Sequence, residues 1–254
     1  MKQSGSITKV TARAGFNEKY PENTMLAFRE AVNAGADRIE LDVHQASDGQ
    51  LVVHHYYNLG HTNGGEGLIF ERGSDYLRSL DAGGWFSPDF RGERMPFLEE
   101  VFDAFGDGTE YEVDLKGLSI EFANAVLDLI RRYGLLGRVE FTSDLPFLLS
   151  RLKEMEPEAT IGSFVPPFPD WMSLGLGQAI TKGHLLLGRV DVAHCPLAIL
   201  TQEYVRDLRE AGIRVHVSNT DTEQELRAAF DLGVDQLSTN RLQLALSVRH
   251  DYET

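Results

Sequence analysis

The sequence predicts an α/β protein folded as a (β/α)8 (TIM) barrel with a small insertion after the second strand. Three observations carry that reading. Strand-like and helix-like runs alternate along the chain, and the strand-like runs number eight. The length of 254 residues is also the usual size of one such barrel, about 250 residues. A doubly wound sheet fits less well, because no Gly-x-Gly-x-x-Gly follows the first strand.

The first strand reads at Ile7–Thr11 and the first amphipathic helix at Asn23–Ala34. The second strand, Arg38–Val43, leads into Asp48-Gly49 and the apolar run that ends at His55. The stretch Tyr56–Arg94 then breaks the rhythm, holding Gly60, Gly64, Gly65, Gly67, Gly83 and Gly84 with the aromatics Trp85, Phe86 and Phe90. It is expected to be a lid near the strand C-termini, the face where such barrels keep their active sites. Helix Leu98–Phe105 restores the alternation, followed by strand Glu110–Leu115 and helix Glu121–Tyr133. Strand Arg138–Thr142, helix Pro146–Met155 and strand Thr160–Ser163 come next, then an irregular segment, Pro166–Gly188. Strand Val190–Ala193, helix Gln202–Ala211, strand Ile213–Val217, helix Glu223–Leu232 and strand Val234–Leu237 complete the series. Gly134, Gly212 and Gly233 stand where helices should stop. The whole chain, 1–254, reads as one domain.

A net charge of −15 argues against nucleic acid, which needs clustered Lys and Arg, and against anionic membrane surfaces. Cys195 is the only cysteine, so an internal disulfide is excluded. No run approaches the ~20 apolar residues of a membrane span, and Met1–Ala14 lacks the apolar core of a signal peptide. A cytoplasmic protein with a small-molecule substrate is expected; an acidic surface leaves homo-oligomerisation open.

Chemistry concentrates on the second and third strands. Alternate residues of a strand share a face, so Glu40 and Asp42 project together, as do Glu112, Asp114 and Lys116. Inward acids from two staves repel unless a cation lies between them, and hard divalent cations take carboxylate oxygens. Lys116 can meet a phosphate oxygen as a point charge. His55 ends the apolar run after the acidic strand and suits proton transfer near neutrality. His194 and His216 also fall at strand ends.

Three blocks together resemble the glycerophosphodiester phosphodiesterase family: Tyr20-Pro21-Glu22-Asn23-Thr24 to Phe28, Gly35-Ala36-Asp37-Arg38-Ile39-Glu40-Leu41-Asp42-Val43, and Asp48-Gly49 to His55. The run Leu80–Val101 and the segment Gly233–Thr239 extend the likeness over nearly the whole chain. The resemblance implies a TIM barrel and a divalent metal, Mg²⁺ or Ca²⁺. It also implies two histidines acting as acid and base on a phosphodiester such as a deacylated phospholipid, a role in lipid metabolism. Glu40 and Asp42 match the metal-binding acids, and Asp114 falls where the family has a glutamate ligand. His55 matches the second catalytic histidine and Lys116 the lysine beside the third acid. His216 is expected to contact substrate.

The chain departs from this pattern at its start. Where the family opens with His-Arg-Gly, it reads Thr11-Ala12-Arg13-Ala14-Gly15. Either Arg13 takes the histidine position and Ala14 the arginine position, or, with a slip of one, Ala12 replaces the histidine and Arg13 keeps the arginine role. In both cases the first catalytic histidine is absent. Arginine stays protonated and cannot act as a base, but it can clamp phosphate bidentately, which makes Arg13 a catalytic and substrate-binding candidate. Tyr56 replaces a usual aspartate, and His61 a common arginine. The expected function is metal-dependent hydrolysis of glycerophosphodiesters to glycerol 3-phosphate and an alcohol, impaired or retuned by the lost histidine. The alternative is a non-catalytic or engineered barrel that binds a phosphorylated ligand.

Overall fold

The computed structural model describes residues 8–253. Eight parallel strands form a closed barrel. They are β1 (Lys9–Ala12), β2 (Arg38–Gln45), β4 (Glu110–Leu115), β5 (Val139–Thr142), β6 (Thr160–Phe164), β7 (Val192–Cys195), β8 (Arg214–Val217) and β9 (Gln236–Thr239). The order runs β1-β9-β8-β7-β6-β5-β4-β2, and pairing of β1 with β2 closes the ring. A ninth strand, β3 (Leu51–Val53), pairs antiparallel to β2 outside that ring and places His55 just beyond its end. Of the predicted first strand, Thr8 precedes β1 and Ile7 lies outside the described residues.

Period-two alternation sorts every stave. Outward side chains such as Val10, Ile39, Leu41, Val113, Phe141, Ala193 and Leu237 are fully buried beneath the helices. The core therefore lies between sheet and helices. The inward set is polar instead, with Arg38, Glu40, Asp42, Glu112, Asp114, Glu140, His194, His216 and Gln236 all buried. Such barrels are usually filled by branched apolar residues. A charged filling must therefore compensate itself internally.

The helices are α1 (Met25–Ala34), α2 (Ser74–Ser79), α3 (Leu98–Phe105), α4 (Ile120–Tyr133), α5 (Pro146–Met155), α6 (Leu174–Leu187), α7 (Gln202–Glu210), α8 (Glu223–Leu232) and α9 (Leu242–Glu253). Local chemistry sets their ends. Thr24 caps α1 by accepting from the Ala27 amide, and Thr222 and Glu225 form a capping box on α8. Gly134 and Gly233 end α4 and α8 with φ of 68° and 63°, a left-handed turn that side chains resist. Helix α6 corrects the reading of Pro166–Gly188 as irregular. Its apolar residues surround the axis, with Leu176, Ile180 and Leu187 exposed and Leu185 buried, so no amphipathic period marks it. Helix α9 likewise follows the last predicted strand unannounced.

In the stretch 56–94, Ile69, Leu77 and Ala82 bury a small separate core with Met95 and with Val52 of β3. Trp85 is half exposed and donates its indole N–H to the Ala82 carbonyl, so it packs the segment to itself. Among the described residues no helix is long and apolar enough to cross a membrane.

Cys195 is fully buried on β7, and burial pushes its thiol up to about 12. The thiolate is the reactive species. At pH 8 the native protein should therefore leave an aromatic disulfide reagent unreacted for hours, whereas one thiol per chain should react at once in denaturant. Rapid native labelling would contradict this packing.

Candidate active site

Strand register builds the site. Parallel pairing of β2 with β4 sets Glu40 beside Glu112 and Asp42 beside Asp114. Glu40, Asp42 and Asp114 each offer one oxygen, and these oxygens all lie within 4.8 Å of one another. All three side chains are buried. They face a cavity of 210 Å³ at the C-terminal end of the strands, together with Arg13, His55 and Lys116. The sequence-predicted residues thus converge, with one exception. His216 is fully buried and hydrogen-bonds Gln236 at 3.0 Å beneath a stacked His194, so it is not on the cavity wall. The sequence placed His216 with the mouth residues because strand-end position says nothing about depth in the barrel.

Asp42 organises the centre. Its Oδ2 accepts from Asn23 Nδ2 at 2.9 Å and lies 3.0 Å from His55 Nδ1. Lys116 Nζ stands 3.3 Å from Asp42 Oδ1 and 2.6 Å from Asp114 Oδ2. Burial alone would raise the Asp42 pKa, but the His55 hydrogen bond and Lys116 hold it well below the usual carboxylate range. Glu40 behaves oppositely: burial and the adjacent Asp42 charge push it up to about 8. Asp114 is raised to about 6, with burial dominating over Lys116. The hydrogen bond to Asp42 raises the His55 pKa against its partial burial.

The donor set fits a hard divalent cation. The carboxylates outnumber the nearby lysine, and burial, with the neighbouring Asp42 charge adding to it, raises both Glu40 and Asp114. Asp42 Oδ1 and Asp114 Oδ1 are buried without a hydrogen-bond partner. Buried carboxylate oxygens without hydrogen bonds are costly, and metal coordination would satisfy them.

The loop after β1 supplies the remaining groups. Ala14 at φ 50° and Gly15 at φ 80° turn the chain so that the Ala14 amide donates to Glu40 Oε2 at 2.6 Å. A Cβ on Gly15 would lie 2.7 Å from the Ala27 backbone, so the turn requires glycine. Arg13 Nη1 donates to Asn240 Oδ1 at 3.2 Å, and Asp221 anchors Asn240 through two 2.7 Å bonds. Tyr56 stacks on His61, centroids 4.5 Å apart, and meets the His55 ring edge-on at 4.8 Å. The two departures from the family pattern there form one ring stack.

Sequence reasoning missed the contribution of Asn23, although it lies within the quoted block. It also missed the buried network below the cavity. There Arg38 Nη1 donates to Glu140 Oε2 at 2.7 Å and to Gln236 Oε1 at 3.0 Å. The available signal was charge at inward positions of strands otherwise apolar, as at Arg38 and Glu140.

Comparison with known proteins agrees with this geometry. Residues 14–244 match the glycerophosphoryl diester phosphodiesterase family. A glycerophosphodiester phosphodiesterase of Caldanaerobacter subterraneus subsp. tengcongensis is 29% identical over 238 residues, covering 92% of this chain and 94% of its own. The uncharacterized protein YqiK of Bacillus subtilis is 31% identical over 241 residues, covering 92% of this chain and 95% of its own. The crystal structure of a glycerophosphodiester phosphodiesterase from Agrobacterium tumefaciens superposes with a TM-score of 0.79 at 26% identity, over 94% of this chain and 99% of that one. With barrel, carboxylate cluster and sequence in agreement, this chain belongs to the glycerophosphoryl diester phosphodiesterase family and is a phosphoric diester hydrolase.

Proposed function

We propose that this enzyme hydrolyses glycerophosphodiesters to glycerol 3-phosphate and an alcohol, with Mg²⁺ or Ca²⁺ held by Glu40, Asp42 and Asp114. The observation that carries the reading is the convergence of these three carboxylates with His55, Lys116 and Arg13 on one cavity. The bound cation would act as a Lewis acid on the phosphoryl oxygens. Lys116 and Arg13 add fixed positive charge beside the same oxygens. Asp42 holds the His55 Nδ1 proton, which leaves Nε2 to exchange a proton with a substrate oxygen. The chain is read as one domain in which 56–94 flanks the mouth.

Arg13 and Ala14 support retuned turnover. Loss of one acid/base group typically costs about 10²–10⁴ in rate. Restoring histidine at Arg13 and arginine at Ala14 together should therefore raise kcat at least about tenfold. The primary test is product formation from glycerophosphocholine with and without EDTA. Chelation and His55→Ala should each abolish most of the rate, and activity indifferent to both would overturn the proposal. The missing histidine favours one second reading, a phosphate-binding barrel; tight calorimetric binding of glycerol phosphate with no turnover over days would establish it.

A further inference from the structure

The network under the cavity contains a group that the proposed mechanism leaves unused. Glu140 is a carboxylate locked in place, with Oε2 accepting from Arg38 at 2.7 Å and from the Gln236 amide at 2.9 Å. Arg38 also donates to Gln236 Oε1, which fixes the amide with its nitrogen toward Glu140. The other carboxylate oxygen, Glu140 Oε1, lies 2.5 Å from His194 Nε2. A carboxylate only accepts, so His194 carries a proton on Nε2, and in the neutral ring the lone pair then falls on Nδ1. His194 Nδ1 is buried with no hydrogen-bond partner, and His194 lines the same cavity as Asp42, His55 and Lys116. A carboxylate that sets a histidine tautomer and leaves the second nitrogen without a hydrogen bond is the arrangement of a catalytic base and its orienting acid.

The barrel places this pair where it is useful. Counting around the closed ring, β4, β5 and β6 separate β2 from β7 on one side, and β1, β9 and β8 on the other. His194 on β7 therefore faces the cavity from the wall opposite Asp42 and its partner His55. Phosphoryl displacement sets attacking and leaving oxygens on opposite sides of phosphorus, so two proton-transfer groups on opposite walls suit one substrate.

We propose that His194 is the general base of this enzyme, with Glu140 as its positioning residue, a slower substitute for the histidine missing at Arg13. The inference rests on the phosphodiesterase reading. A water O–H bond breaks, its proton goes to His194 Nδ1, and the water oxygen bonds to phosphorus. The bond from phosphorus to the leaving oxygen breaks, and that oxygen takes a proton from His55 Nε2. Proton exchange with solvent resets both rings. The groups that face His194 are Glu140 from β5, Glu112 from β4 at 3.6 Å, His216 from β8 stacked at 3.9 Å, and the Phe164 ring edge from β6. Arg38 of β2 acts through Glu140.

A metal site is the competing reading of the cluster Glu112, Glu140, His194 and His216, whose donor atoms also fall within 4.8 Å. The two rings lie nearly parallel, 24° apart, with centroids 3.9 Å apart. One ion between stacked faces could not lie in both ring planes, as imidazole ligation at about 2.0–2.1 Å requires.

The test is His194→Asn assayed on glycerophosphocholine with saturating Mg²⁺ across pH 5–10. Expected are a fall of at least about a hundredfold in kcat at pH 7 with little change in KM, and a rate that then rises tenfold per pH unit where the wild type is level. A purely structural role would keep the wild-type profile shape. A fall below tenfold, or a larger fall with that shape retained, would overturn the proposal. Gly162→Ala tests the pair without changing it, since the added Cβ would lie 2.6 Å from both Glu140 Oε1 and His194 Nε2; the same profile change is expected. Should neither variant fold, nitrogen NMR of the wild type decides: the Nε2–H tautomer is expected, and Nδ1–H would overturn the assignment. A wild type without EDTA-sensitive activity sinks both proposals, whereas an active wild type with His194→Asn unaffected sinks only this one.

Discussion

Asp42→Asn is expected to lower kcat about ten-thousandfold while the protein stays folded, by analogy with removal of the histidine-orienting carboxylate of a protease triad. Asp42 meets three other groups of the site. It accepts from Asn23, faces His55 at 3.0 Å and stands 3.3 Å from Lys116. The amide keeps the shape but removes the carboxylate whose hydrogen bond and charge raise the His55 pKa. It also removes the negative charge of the oxygen that Asp42 offers to a cation, so the apparent affinity for Mg²⁺ or Ca²⁺ should weaken together with kcat. Steady-state kinetics over a metal titration, with circular dichroism to confirm folding, checks both effects. A variant within tenfold of wild type at saturating metal would remove Asp42 from the centre of the mechanism.

The second large effect is on stability. Arg38→Met should destabilise the protein by about 3–5 kcal/mol, the usual result of removing one partner from a buried ion pair. In a chain of this size that corresponds to roughly 10 °C in Tm. Arg38 is buried at the bottom of the barrel and donates to Glu140, Gln236 and Glu110. Burial by itself would raise the Glu140 pKa, but Arg38 and the His194 hydrogen bond hold it well below the ordinary carboxylate value. A depressed carboxylate pKa stabilises the fold above its unfolded value, about 4.3 for glutamate, and that contribution disappears as pH falls through the folded value. The gap in Tm between wild type and Arg38→Met should therefore narrow as pH falls below that value. An equal gap at all pH values would show that packing, and not charge, accounts for the loss.

The variants address different layers of one barrel. Asp42 lies at the mouth, where compensation comes from His55 and Lys116 and, in the proposed enzyme, a cation. Arg38 and Glu140 lie below, where the protein supplies both signs of charge. Substitutions in the two layers should add approximately if the layers are independent, whereas His194, which touches both the cavity and Glu140, should couple to each.

The amino-acid sequence by itself determined the barrel, the inward direction of Glu40, Asp42 and Asp114, and the place of His55 after the acidic strand. Each of these follows from local rules: strand alternation, glycine at helix ends, and register between staves that are neighbours in both sequence and space. Helix α6 escaped because its apolar residues face every direction. Only the tertiary structure decided that Arg38 would meet Glu140, 102 residues away, that Glu140 would meet His194, a further 54 residues on, and that His216 would lie beneath the cavity. Those contacts cross the inside of the ring. They depend on strand tilt and on the level of each side chain along the axis, quantities that exist only once the last strand has closed against the first.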